Sequence, residues 1–320
     1  MDTLLQNGHE AKKEQLFAGG FIKDVAGQFN DRANAAYTAR KGWTAQSRSK
    51  EFCGPLHLDF FQQSRYLISG VDIRLRLMRT QPQFCVMQLP NPAAVGVLAA
   101  NIAIKVVIEK AVLHMRMVRI SPSVINGHEA GLAKQNAVYP IQRCEVISHT
   151  VPIGSTSYDR GDLFRGQMPK LVVIGLVSNA AFTGDYAQNP FRFHHFDVNG
   201  VSLTREGENT TFKQFEPDFT NAHKREYMSL FQSMEYYNRD EGCDIALADY
   251  AAGTTLYAFN LAGDLALTGH AQPMREGSLR LTLKYTGATT VLINIVIWAL
   301  FDSKIEITRT RNVLLDYKTK

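Results

Sequence analysis

Gly277-Ser278-Leu279-Arg280-Leu281-Thr282-Leu283-Lys284 alternates polar and apolar side chains. After a Thr286-Gly287-Ala288-Thr289-Thr290 break, the chain runs through an apolar stretch at 291–301 and into Lys304-Ile305-Glu306-Ile307-Thr308. A period of two puts Leu279, Leu281 and Leu283 on one face and Ser278, Arg280, Thr282 and Lys284 on the other, the pattern of a half-buried strand. The same grammar occurs earlier, in Gly70-Val71-Asp72-Ile73-Arg74-Leu75-Arg76-Leu77 and again over 104–120.

Working outward, the residues predict further strands at 56–61, 71–78, 84–87 and 104–120 in the first half, and at 141–151, 171–177, 195–204, 255–261, 277–285, 290–301 and 304–309 in the second. Val172-Val173-Ile174-Gly175-Leu176-Val177 is apolar throughout, as expected of a strand buried on both faces. Residues 2–18 read as a helix, 19–50 as a long polar loop. Tyr227, Leu230, Phe231 and Met234, at helical spacing, read as a helix with Asn221 available as its N-cap. Ser121-Pro122-Ser123, Gly127 and Gly131 break the pattern and mark a domain boundary. Many short strands separated by Gly/Pro turns, with too few helices for βαβ units, favour a β-sandwich or jelly roll, one all-β unit used twice.

The 320 residues are enough for two domains. With 45% hydrophobic and 20% charged residues the composition is globular. A formal charge of +5 is mild, and its densest strand cluster, Arg74, Arg76 and Arg79, reads as a solvated or interface face. Cys53, Cys85, Cys144 and Cys243 are widely spaced, which favours a reducing compartment over a disulfide scaffold. The Met1-Asp2-Thr3 start leads into a polar segment unlike a secretion signal. The 291–301 run, interrupted by Asn294, is too short for a membrane helix.

Reactive motifs are sparse. There is no phosphate-binding G-x-x-x-x-G-K-[ST] loop, no dinucleotide fingerprint and no G-x-S-x-G elbow. His128-Glu129 starts like a zinc-protease helix, but Leu132 stands where the second histidine belongs. On a strand, adjacent His194 and His195 would point to opposite faces and could not share a metal, so they read as packing residues among Phe191, Phe193 and Phe196. Asp240-Glu241 reads as a loop rather than an acid–base pair. Arg160-Gly161-Asp162, an adhesion-type tripeptide, and the glycosylation acceptor Asn209-Thr210-Thr211 are weak signals without secretion. No catalytic, cofactor-binding or metal residue is expected, and no enzymatic activity.

Six segments in order carry a more specific signal. They are Leu58-Asp59-Phe60-Phe61-Gln62-Gln63-Ser64-Arg65-Tyr66-Leu67, Gly70-Val71-Asp72-Ile73-Arg74-Leu75, Val118-Arg119-Ile120-Ser121-Pro122-Ser123-Val124, Asn189-Pro190-Phe191-Arg192-Phe193-His194-His195-Phe196, Thr255-Leu256-Tyr257-Ala258-Phe259-Asn260-Leu261 and Ile305-Glu306-Ile307-Thr308-Arg309-Thr310-Arg311-Asn312-Val313. Together, over nearly the whole chain, they resemble the major capsid protein of Polinton/Maverick elements and the related adintoviruses.

The resemblance implies an all-β double jelly roll, two tandem antiparallel sandwiches with a few short helices. It also implies trimers of pseudo-hexagonal outline tiling an icosahedral shell. Residues 1–125 would be an N-terminal jelly roll lacking its first strands, because family members carry a further N-terminal portion. Residues 126–135 would be a linker and 136–320 the C-terminal jelly roll, with 93–103 an insertion. Implied partners are copies of itself in trimer and lattice, and other capsid proteins such as a penton. Nucleic-acid contact would be indirect at most, no membrane is a partner, and no cofactor is required. The implied location is the virion, after synthesis in the host cytoplasm or nucleus. The alternatives are a β-sandwich binding module for carbohydrate or protein, and a metal-dependent jelly-roll oxygenase, which would need a His/Asp/Glu cluster that the sequence does not offer.

Overall fold

Leu279, Leu281 and Leu283 are fully buried while Arg280 and Lys284 are exposed, so the alternation of this segment does set a strand with one face on a core. A computed structural model describes residues 2–89, 104–164, 166–211, 213–267 and 269–316. The protein is all-β, built of antiparallel sheets with a few short helices. Its strands are β1 (Ala137–Val151), β2 (Ser157–Arg160), β3 (Leu171–Ser178), β4 (Val198–Arg205), β5 (Glu208–Asn209), β6 (Leu256–Asn260), β7 (Leu279–Tyr285), β8 (Ile293–Ile307) and β9 (Val313–Leu315).

One sheet has the order β1-β8-β3-β6, with β9 added on β8, and the other has the order β2-β7-β4-β5. Every ladder is antiparallel. β1 pairs with β8, β2 with β7, β3 with β6 and β4 with β5. That nesting is a long two-stranded ribbon rolled over itself until β3 meets β8 and β4 meets β7, which is the jelly roll.

Between the sheets lies the main core. Val172, Ile174 and Leu176 of β3 and Ile293, Ile295 and Ile297 of β8 face Val201 and Leu203 of β4 and the three leucines of β7. The opposite face of the first sheet is covered too. Leu171, Val173, Leu256, Ala258, Trp298 and Leu300 pack beneath Leu230 of the helix Lys224–Ser233, with Tyr250 and Leu5. β3 is therefore buried on both sides, which explains its unbroken apolar run. Gly175 is required within it: a Cβ there would lie 2.6 Å from Cδ1 of Phe193.

Several boundaries differ from the sequence reading. Residues 290–301 and 304–309 are parts of one strand, because Asp302 and Ser303 keep their ladder partners Gln142 and Ile141. The strand expected from His195 begins at Val198. The helix at Lys224–Ser233 has His223, not Asn221, at its N-cap; Asn221 donates instead to Asp218. The expected helix over 2–18 is three short helices, Asp2–Leu5, His9–Lys13 and Gln15–Ala18. The buried Lys12 ammonium there donates to the carbonyls of Leu4 (2.7 Å) and Cys243 (2.5 Å), and burial pushes its pKa down to about 8. The polar stretch read as a loop contains a helix, Ala35–Thr44, capped by Asn34, which accepts from the Ala36 amide.

The largest difference is in the first half. The strands expected at 56–61, 71–78, 84–87 and 104–120 are not formed; short helices occupy Asp59–Gln62 and Pro82–Cys85. A strand needs a partner for its backbone as well as an alternating pattern. Within the described residues no ladder reaches these segments. Their apolar side chains stay largely in solvent: Leu77 is 67% exposed and Met117 86%. The insertion expected at 93–103 lies outside the described residues. The helix Pro122–Leu132 spans most of the expected 126–135 linker.

Two outcomes check this arrangement. Leu281→Ala should cost about 2–5 kcal/mol in a urea melt, whereas Leu77→Ala should stay within about 0.5 kcal/mol. Trypsin should cut first at exposed Lys105, Lys110, Arg116 and Arg119, leaving a resistant fragment that starts near Gln135. Early cleavage inside β7 or β8 would contradict the sandwich.

Candidate functional site

The strands of a jelly roll deliver their connections to two ends. At the end where β3 finishes and β4 begins, three connections converge: 179–197 between β3 and β4, the 217–220 turn after β5, and 286–292 between β7 and β8. They enclose a half-open cavity of about 870 Å³, lined among others by Arg192, His194, Asp197, Phe219 and Thr286. That size lies within the range of small-molecule sites.

The wall of the cavity is a tight turn built by the histidine pair. Nδ1 of His194 accepts the Phe196 amide at 3.0 Å, and Nδ1 of His195 accepts the Asp197 amide, also at 3.0 Å. These bonds hold Phe196 and Asp197 at φ of 45° and 52°, a left-handed conformation unusual for side chains other than glycine. Thr286 clamps the turn from the neighbouring connection, its amide donating to the Asp197 carbonyl at 2.9 Å and its hydroxyl at 3.1 Å.

The two imidazole rings stack, 4.3 Å apart, and His195 stacks in turn on Phe219 at 4.1 Å. On the far side of Phe219 lie His223 and Tyr250. The expectation of opposed side chains fails because residues 194 and 195 are not in a strand but precede it in a turn.

Burial, then the neighbouring His195 and Arg192, push the His194 pKa down to about 4. Burial also lowers that of His195, with Asp197 opposing the shift and His223 and Arg192 reinforcing it. Both rings are therefore neutral near pH 7, as their acceptor role at Nδ1 demands. Among the described residues no group of three or more His, Cys, Asp or Glu side chains could hold a metal ion.

The other motifs stay apart from this end. Glu129 pairs with Arg311, and the buried Leu132 follows on the same helix. Asp240 and Glu241 lie in an exposed loop. In Arg160-Gly161-Asp162 the aspartate accepts from Ser278 at 3.0 Å, and Asn209 accepts from Ser202 at 2.8 Å. No disulfide joins Cys53, Cys85, Cys144 and Cys243, and no helix among the described residues is long and apolar enough to cross a membrane. Sequence reasoning missed Arg192, Asp197 and Thr286 as a group. Their one local signal, the Thr286–Thr290 break, reads only as a turn until the fold sets it against 192–197.

The site and fold together define a jelly-roll protein with a cavity of mixed polar and apolar lining among its end loops. No protein-family model matches the chain. An uncharacterized protein of Caenorhabditis elegans is 20% identical over 321 residues, covering 98% of this chain and 73% of that protein. Among solved structures, the PBCV-1 virus capsid aligns over 61% of this chain and 55% of its own, at 12% identity and a TM-score of 0.37. The Sputnik virophage structure gives 13% identity over 58% of this chain and 40% of its own, with a TM-score of 0.36. The mavirus major capsid protein gives 10% over 58% and 42%, with a TM-score of 0.33. The chain thus spans about half the length, or less, of these solved chains. The jelly-roll assignment rests on the strand order and not on these superpositions.

Because burial lowers the pKa of both folded histidines, that of His194 to about 4, their contribution to stability is complete above pH 6.5 and is lost progressively as pH falls below it. The thermal midpoint should therefore drop between pH 6.5 and 5, before most carboxylates titrate. Replacing both with asparagine, which accepts the same amide without titrating, should flatten that drop.

Proposed function

We propose that this chain is a structural, capsid-type protein that works by lateral self-association and carries out no reaction. The observation that carries the reading is the first half, which no ladder reaches among the described residues. Two segments with strand-like sequence, 71–78 and 104–120, display Leu77, Val107, Ile108, Val112 and Met117 to solvent beside a complete sandwich. A self-sufficient binding module has no use for apolar, unpaired backbone of this length, which invites pairing with another chain. A shell subunit gains both large contact area and strand partners on assembly.

On this reading, residues 1–125 become a second jelly roll when those segments acquire partners, 126–135 connect the halves, and 136–320 provide the preformed one. The sequence resemblance to the Polinton/Maverick and adintovirus capsid proteins supports the finer picture. In it, homotrimers of hexagonal outline tile a virion shell, with penton-type proteins as further partners, an element-derived origin, and no cofactor or metal. A wall-building role needs rigid sheets with variable loops, and the buried double-faced β1-β8-β3-β6 sheet supplies the rigidity.

Negative-stain electron microscopy of the purified full chain, with mass photometry, tests the proposal. Trimers or larger ordered assemblies are expected, with heterogeneous association where partners are lacking. A monodisperse monomer with a single cooperative melt would sink it. That result would favour the second reading, a β-sandwich binding module, for which the cavity among the end loops is the specific observation.

A further inference from the structure

One nitrogen in the 194–197 turn has two incompatible partners within reach. Nδ1 of His195 accepts the Asp197 amide at 3.0 Å and stands 3.3 Å from the Asp197 carboxylate. An imidazole nitrogen that accepts an amide is unprotonated, and one that donates to a carboxylate carries a proton. The first arrangement therefore belongs to the neutral ring and the second to the imidazolium. His194 is committed in the same way, its Nδ1 accepting the Phe196 amide, but among the described residues no carboxylate is paired with it.

Two connections depend on these acceptors. Phe196 and Asp197 hold positive φ angles, a conformation that the surrounding bonds must impose. The Asp197 carbonyl receives both the amide and the hydroxyl of Thr286, so the 286–292 connection is fastened to the β3–β4 connection through this one residue. Phe196, Asp197 and Thr286 all line the cavity. The ionisable neighbours of the two rings are few. Arg192 and Asp197 lie on the same connection, and His223 lies across Phe219. Asp218 is turned into its own loop, accepting from the Thr220 amide and from Asn221. The 286–292 connection carries no ionisable side chain.

We propose that the 194–197 turn is an acid-operated latch: protonation of His195 moves its Nδ1 from the Asp197 amide to the Asp197 carboxylate, which frees the cavity wall and unfastens the 286–292 connection. The proton comes from solvent, to which the His195 side chain is 17% exposed. Asp197 favours the charged ring more strongly at His195 than at His194, where burial and two cationic neighbours outweigh it. His195 is thus the first of the pair to charge, and His194 follows once the turn has loosened. A histidine that titrates into a second, ready-made bond biases two discrete local arrangements. The latch is the same in a monomer and in a shell subunit.

Hydrogen exchange of the full chain between pH 7.5 and 5, read by mass spectrometry and corrected for the direct effect of pH on exchange, tests it. Protection of the Phe196, Asp197 and Thr286 amides should fall at least about tenfold between pH 6.5 and 5, the effect of one linked proton, while β3 and β8 keep theirs. The double variant His194→Asn/His195→Asn, which keeps both acceptors without titrating, should retain the protection at pH 7.5 and show no fall. Asp197→Asn, a residue that tolerates positive φ, should weaken the fall because the imidazolium loses its partner. A flat profile in the unaltered chain, loss of protection in β3 and β8 in step with the turn, an undiminished fall in the double variant, or an unchanged profile in Asp197→Asn would each overturn the latch.

Discussion

The structure depends on the pairing of β8. Fifteen residues of β1 lie in register against Ile293–Ile307, and β3 occupies the opposite edge of the same strand. β8 therefore has its backbone satisfied on both sides. It sends Ile293, Ile295, Ile297 and Phe301 into the space between the sheets and Trp298 and Leu300 beneath the helical layer. A strand so placed cannot slip by one residue, since that would exchange its two apolar faces and displace Trp298 into the inner core. The register of β8 fixes where β3 ends and β7 turns, and hence where the end loops meet.

The first half shows the same physics with one component missing. Its alternation resembles that of β7, yet β7 lies between β2 and β4 while, among the described residues, no ladder reaches 71–78. Hydrophobic patterning selects a face; hydrogen bonding to a neighbour creates the strand. This half is held to the sandwich by apolar burial, as of Leu5 and Phe29, and by polar ties. Asp24 accepts from Asn189 at 3.0 Å, and the Tyr139 hydroxyl accepts the Ile68 amide at 3.0 Å.

The cavity is a consequence of how the ribbon rolls. Connections far apart in sequence arrive at one end, and the imidazoles of His194 and His195 hold the wall open by accepting amides that a left-handed turn would otherwise leave unmet. Rigid sheets supply a fixed frame, and the loops supply chemistry without disturbing it.

The alternation at 279–285, the unbroken run at 172–177 and the Gly/Pro punctuation were enough to mark strand segments in the second half and to put Leu279, Leu281 and Leu283 on one face. These are local properties: period and burial are written residue by residue. Only the tertiary structure decided that no ladder among the described residues reaches 71–78 or 104–120, that the two runs at 290–301 and 304–309 meet in one strand, Ile293–Ile307, and that Asn221 serves Asp218 rather than a helix. It alone brought Arg192, Asp197 and Thr286 around one cavity. Each of these depends on what a distant segment offers, and a backbone amide or an arginine takes whichever partner the fold carries within reach.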